Sequence, residues 1–138
     1  HRHTPEIEET LGVMANEKVS VTFTPHLLPI NRGIISTIYC TPKGNVNLEE
    51  IHKLYEGFFL DKPFVNILPL GEIACTKNVR FSNYCNISLH LNHRKDQLIV
   101  VSAIDNMVKG AAGQAIQNMN IILGFDETEG LNFISPAF

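Results

Sequence analysis

The sequence predicts an α+β fold: a mixed, largely antiparallel sheet with helices on one face. Two observations carry that prediction. Short runs rich in β-branched and aromatic residues are joined in pairs by brief polar turns, the mark of neighbouring antiparallel strands. Longer runs with apolar residues at helical spacing fall between them, so helices and strands share one layered domain. The sheet face without helices is then free to meet a second subunit.

The elements follow in order. Thr4-Pro5-Glu6 opens a helix, with Thr4 as a cap, Pro5 at the first helical position and acids in the first turn. Ile7, Leu11 and Met14 recur on one of its faces, and Asn16-Glu17 ends it. Lys18 to Thr24 alternates Val19, Val21 and Phe23 with polar residues and reads as a half-buried strand. Pro25 and Pro29 stop it, and the segment to Gly33 is a loop carrying His26, Asn31 and Arg32. Ile34 to Thr41 is a strand, and Pro42-Lys43-Gly44-Asn45 a turn.

Asn47 caps a helix to Leu60 whose apolar face is Leu48, Ile51, Leu54, Tyr55 and Phe58. Phe64 to Leu68 is a short strand, and 73–84 is mainly loop. Cys85 to Leu91 and Gln97 to Ala103 form a strand pair around the polar connection Asn92-His93-Arg94-Lys95-Asp96. Asp105 to Gly110 leads into a last helix running to about Leu123, with Ala111, Ala112, Ala115 and Ile116 as a slim packing face and Gly124 as its stop. The tail from Gly130 carries no strong pattern, and there is no internal repeat.

Length and composition bound the function. The 138 residues, 44% hydrophobic and 18% charged, suffice for one domain with a core. A net charge of -3 gives no basic footprint for nucleic acid. No apolar run reaches the roughly 18 residues of a membrane span, and no signal peptide opens the chain. The start at His1, with no Met, suggests a piece of a longer protein. Cys40, Cys75 and Cys85 are an odd number without C-x-x-C spacing, which argues against a disulfide framework or closed zinc site and for a reducing, cytoplasmic setting. Asn86-Ile87-Ser88 is a glycosylation tripeptide, of a kind common by chance.

Three groups of residues invite chemistry. His1, Arg2, His3 and Glu6 crowd the first helix. His3 and Glu6, three apart, can bring a carboxylate to an imidazole and fit it for acid-base work or for activating a thiol. The plainer reading of the same residues is exposed histidines at a chain end. In the loop, Arg32 beside Gly33 can offer a fork to a phosphate or carboxylate, or be an ordinary surface arginine. Asp105-Asn106 to Gln114 resembles a phosphate loop only superficially, because the G-x-x-x-x-G-K-[ST] order is absent. Asn106 and Gln114 still supply amides at a helix start. The cysteines read as buried and structural, and the six histidines show no metal-ligand pattern.

Four runs together resemble one family: His1-Arg2-His3-Thr4-Pro5-Glu6-Ile7, Phe23 to Gly33, Ser82-Asn83-Tyr84-Cys85, and Ile104 to Ala115. They are similar, in order and over essentially the whole chain, to N-acetyl-gamma-glutamyl-phosphate reductases. The resemblance implies a C-terminal domain like that of glyceraldehyde-3-phosphate dehydrogenase and aspartate-semialdehyde dehydrogenase. It implies NADPH-dependent reduction of N-acetyl-glutamyl 5-phosphate to the semialdehyde, in arginine biosynthesis, through a cysteine thioester. It implies a homo-oligomer, dimer or tetramer.

By that resemblance His3 pairs with the thiolate as acid-base and Glu6 orients it. His1 helps to bind substrate, and which of the two histidines is the base stays open. His26 and Arg32 neighbour the substrate pocket, Asn106 contacts the nicotinamide carboxamide, and Gln114 is a second cofactor-binding residue. The family's Gly-Cys-Tyr nucleophile motif and a G-x-G-x-x-G segment are both absent. The chain, 1–138, is therefore expected to be the catalytic and dimerisation part, its last residues from about 125 leading back to a missing NADP-binding domain, and to be inactive alone. A non-catalytic dimerisation module, or a semialdehyde dehydrogenase for another acyl phosphate, are the competing readings. Intact His1, His3, Glu6 and Arg32 speak against the module, and the H-R-H-T-P-E run against the other substrate.

Overall fold

The computed structural model describes residues 3–133. The chain divides into two compact units, one ending at Ile30 and one starting at Asn31. In the first, helix α1 spans His3–Ala15. Asn16 ends it with a left-handed φ of 52°, a conformation its short polar side chain tolerates. The Glu17 N–H then donates to the Gly12 carbonyl at 3.2 Å. The predicted apolar stripe is largely in the open: Ile7 is half-buried, but Leu11 and Met14 are exposed.

The strand expected over 18–24 does not form. Val19 and Val21 are half-buried between exposed Ser20 and Thr22, so the alternation is real. Alternation reports one sheltered side, whereas a strand also needs a neighbour for its backbone groups. Among the described residues none runs beside this segment, and the Val21 N–H donates to the Glu8 carboxylate at 2.8 Å instead.

The second unit holds a four-stranded sheet of β1 (Ile34–Cys40), β2 (Val65–Ile67), β3 (Cys85–Leu91) and β4 (Leu98–Ile104), in the order β1-β4-β3-β2. β1 and β3 both run antiparallel to β4, and β2 runs parallel to β3. The β3–β4 hairpin is tied by Asn92, whose Oδ1 accepts from the N–H groups of Asp96 and Gln97. The parallel β2–β3 crossing is made by an irregular segment with one 3₁₀ turn, Thr76–Asn78.

Helix α2 (Leu48–Phe59) packs on one face of the sheet. Asn47 caps it by accepting from the N–H groups of Glu49 and Glu50. Leu48, Ile51, Tyr55 and Phe59 meet Ile87, Leu89, Leu98 and Val100, the main core. Two residues expected on that apolar face are not in it: Leu54 is 69% and Phe58 71% exposed. They lie beside the inward stripe, and Phe59, one turn beyond Tyr55, takes the inward position.

The alternate β4 residues Val101 and Ala103 face the other way and pack with Leu68, Ala74, Val79 and Tyr84 from the irregular crossing. β1 is one edge of the sheet, and Ile34, Ile35, Ile38 and Tyr39 are all exposed on it.

After β4 the chain winds through a π-helical turn, Val108–Ala112, into α3 (Gly113–Leu123). The wide turn shows in bonds from Gly110 N–H to Asp105 carbonyl and from Ala112 N–H to Met107 carbonyl. Gly124 closes the helix with a φ of 73°. The slim face expected of α3 is corrected: Ala111, Ala112, Ala115 and Ile116 are exposed, and Gly113, Gln117 and Asn120 point inward. Hydrogen-bonding side chains and the close approach at Gly113, not the alanines, hold that face.

Candidate functional site

Asp105 is the centre of a buried polar cluster in the second unit. It is fully buried at the end of β4. One carboxylate oxygen accepts from the N–H groups of Met107 (2.8 Å) and Val108 (3.0 Å), the local loop that an aspartate makes at the start of a helix. The other accepts from Arg32 Nε (2.5 Å) and from the Phe81 N–H (2.7 Å). Burial pushes the Asp105 carboxyl up, but the Arg32 hydrogen bond and the three backbone donors together outweigh it and hold the group below its ordinary value.

The neighbouring residues repeat the link. The Gly33 N–H donates to Asn106 Oδ1 at 2.7 Å. Both side-chain bonds lie just past the end of the β1–β4 ladder, where Ile34 pairs with Ile104. Gly33 has a φ of 116° and would place a Cβ 2.5 Å from Thr76 Cγ2, so only glycine fits there. Arg32 lies over the Phe81 ring at 4.3 Å from its centre, and Arg80 approaches the same ring at 5.5 Å. Phe81 itself carries a left-handed φ of 61°.

A second network pins α3. Gln117 Oε1 accepts from Asn83 Nδ2 (2.9 Å) and from Lys109 Nζ (2.6 Å), while Gln117 Nε2 donates to Glu127 (2.6 Å). Burial lowers the Lys109 pKa, against the opposing pull of Cys85 and Glu127. Asn83 is fully buried, and so close to α3 that a Cβ on Gly113 would stand 2.4 Å from its Oδ1.

The residues expected at the site distribute as follows. His1 lies outside the described residues. His3 opens α1, exposed, with its ring edge-to-face against Phe23 at 6.5 Å, and Glu6 stands exposed in the same first turn. His26 is exposed in the loop, its Nδ1 3.1 Å from the Thr24 carbonyl. Gln114 Nε2 donates to Asn118 at 3.3 Å along the surface of α3. Arg32 and Asn106 are brought together through the Asp105 cluster.

Asp105, Phe81, Asn83 and Gln117 join the cluster without a site role expected from the sequence. The signal for Asp105 was present: an aspartate directly after an apolar strand and before a helix. Asn86 of the glycosylation tripeptide is buried in β3, where its Oδ1 accepts from Asn66 Nδ2 at 3.0 Å. It is not placed as a glycan acceptor.

The three cysteines are free thiols. Burial pushes the Cys85 thiol up, with Lys109 pulling the other way. A raised thiol holds little thiolate at neutral pH. Iodoacetamide labelling of Cys85, followed by mass spectrometry across pH, is therefore expected to reach half its maximal rate above about pH 8.5. A midpoint near neutrality would mark Cys85 as an activated nucleophile.

Residues 1–106 match the family described as semialdehyde dehydrogenase, dimerisation domain, and the chain belongs to that family. Within it, the chain is 75% identical over 138 residues to the N-acetyl-gamma-glutamyl-phosphate reductase of Clostridium botulinum Alaska E43, and 62% identical over 139 aligned positions to that of Brachyspira hyodysenteriae. Each alignment takes in the whole of this chain and 40% of the relative. The chain thus spans two fifths of the length of these relatives. Among solved structures, aspartate semialdehyde dehydrogenase II from Vibrio cholerae superposes with a TM-score of 0.57 at 11% identity, over 70% of this chain and 29% of that one. That likeness shows the fold.

Proposed function

We propose that this chain is the catalytic and subunit-pairing part of an N-acetyl-gamma-glutamyl-phosphate reductase, whose nucleophilic cysteine and main NADP-binding domain lie in other parts of the protein. The observation that carries the reading is identity of up to 75% along the entire chain to enzymes of that name. In the reaction a cysteine thiolate attacks the acyl phosphate, phosphate leaves, and the thioester is reduced to N-acetyl-glutamate 5-semialdehyde. NADPH supplies the hydride when bound.

The chain's own residues take defined parts. His3 accepts the thiol proton, and Glu6, in the same helical turn, orients the imidazole. His1 and His26 contact the substrate, and Arg32 receives one of its oxyanions. Asn106 fits a carboxamide: its Oδ1 is taken by the Gly33 N–H, so its Nδ2 presents donors to a carbonyl oxygen. Gln114 stands on the first turn of the following helix. The exposed apolar edge strand supports self-association into a dimer or tetramer. Free cysteines accord with a cytoplasmic enzyme.

The test is an assay of the complete protein that carries this chain. NADPH oxidation is expected with N-acetyl-glutamyl phosphate, and phosphate-dependent NADP reduction with the semialdehyde. The 138 residues alone are expected to show no turnover. Preference for a non-acetylated acyl phosphate in the complete protein, or turnover by the isolated chain, would sink the reading.

A further inference from the structure

Arginine carries five N–H donors, and donors sheltered from water are almost always met by acceptors. Arg32 is 21% exposed in its side chain: Asp105 engages its Nε, and its Nη groups are not among the buried atoms left without a partner, so they reach solvent. Asp105 has no capacity to spare, because its two oxygens already accept from four groups. No described residue accepts from the Arg32 Nη groups. Arg80, on the same Phe81 ring, has a buried Nε with no partner. Two guanidinium groups thus lie 4.3 and 5.5 Å from the centre of one ring, and a single carboxylate, Asp105, bonds one of them, which leaves an excess of positive charge with unspent donors. An Arg held by Nε and by its face keeps its Nη edge immobile and open, the edge that forks onto carboxylates and phosphates.

We propose that Arg32 and Arg80 form an oxyanion cradle for the substrate, and that Asp105 is the positioning residue that aims Arg32 into it. The oxyanion is a substrate carboxylate or the acyl phosphate. Asp105 touches no substrate. It sets the orientation of the guanidinium and, through Phe81 N–H and the Met107–Val108 turn, fixes the three chain segments that meet there. The cradle rests on the reductase reading for the identity of its ligand.

The experiment uses the complete protein with Arg32→Gln, Arg80→Gln, Asp105→Asn and the double variant Arg32→Gln/Asp105→Asn. Each single change is expected to raise KM for the acyl phosphate about tenfold, with kcat within about threefold, as for lost ground-state binding. The double variant is expected to match Arg32→Gln, because Asp105 acts through Arg32. Unchanged KM in both arginine variants, or additive losses in the double, overturns the cradle. Arg80 donates no side-chain hydrogen bond to a described residue, so Arg80→Gln breaks no hydrogen bond of the fold.

A second arm needs no activity. Inorganic phosphate and N-acetylglutamate are titrated separately by calorimetry into wild type and Arg80→Gln. Loss of phosphate affinity assigns the cradle to the phosphoryl group, and loss of N-acetylglutamate affinity alone assigns it to a carboxylate. Retention of both overturns it. A protein that reduces no acyl phosphate but loses either affinity keeps the cradle and sinks the reductase reading.

Discussion

Asp105→Ala is expected to lower the unfolding free energy by about 3–5 kcal/mol, the loss typical of one half of a buried ion pair. The effect is large because the carboxylate satisfies four donors at once. Its removal strands three backbone N–H groups and the Arg32 Nε. It also frees the end of the β1–β4 ladder, the loop at Phe81 and the start of the π-helical turn together. Urea unfolding followed by circular dichroism gives the value, and a loss under about 1 kcal/mol would show that water replaces the carboxylate without difficulty.

The same group makes a pH prediction. Its folded pKa lies below the unfolded value, about 3.9 for aspartate. Its contribution is therefore complete above that value and is lost as pH falls through the lower folded one. The stability gap between wild type and Asp105→Asn should be constant at neutral pH and shrink below about pH 4. A gap that changed between pH 6 and 8 would point to another titrating group.

Gly113→Ala is expected to destabilise by about 2 kcal/mol, although alanine favours a helix over glycine by about 1 kcal/mol. The backbone there is ordinary helix, so the obstacle is space. The new methyl would lie 2.4 Å from Asn83 Oδ1, 2.6 Å from Val108 Cγ1 and 2.8 Å from the Val108 carbonyl. The last of these is backbone and can yield only by moving the turn. Gly57→Ala in α2 is the control, since its Cβ would meet nothing within 4 Å. It should stabilise by about 0.5–1 kcal/mol. Thermal or urea unfolding of the two variants separates the effects, and equal shifts would remove the close approach as the cause.

What could be read from the sequence and what could not divides by the range of the interactions. α2 with its Asn47 cap, the β3–β4 hairpin and the Gly124 stop are local patterns, and the structure has them within a residue or so. The run at 18–24 has the pattern but not the partner, so its alternation was legible and its pairing was not. In α3 the polar residues Gln117 and Asn120 are buried by distant acceptors and donors, which no periodicity reports. The candidate site divides likewise. Arg32 and Asn106 were visible as types at telling positions. The Asp105 clasp joins residues 73 positions apart, and only folding brings them together.

The π-helical turn settles which side of α3 the protein uses. A π turn absorbs one residue more than an α turn, so everything after it keeps a phase one residue late. Wound as ordinary α-helix, the same segment would advance by about 100°. Ala112, Ile116 and Met119 would then come round to the places of Gly113, Gln117 and Asn120. That would be an apolar seam of the kind the small residues of the sequence suggest. The bonds of Gln117 to Lys109, Asn83 and Glu127 would part with the rotation. One widened turn, and not the side chains of the helix themselves, makes the difference between a greasy seam and a polar lock.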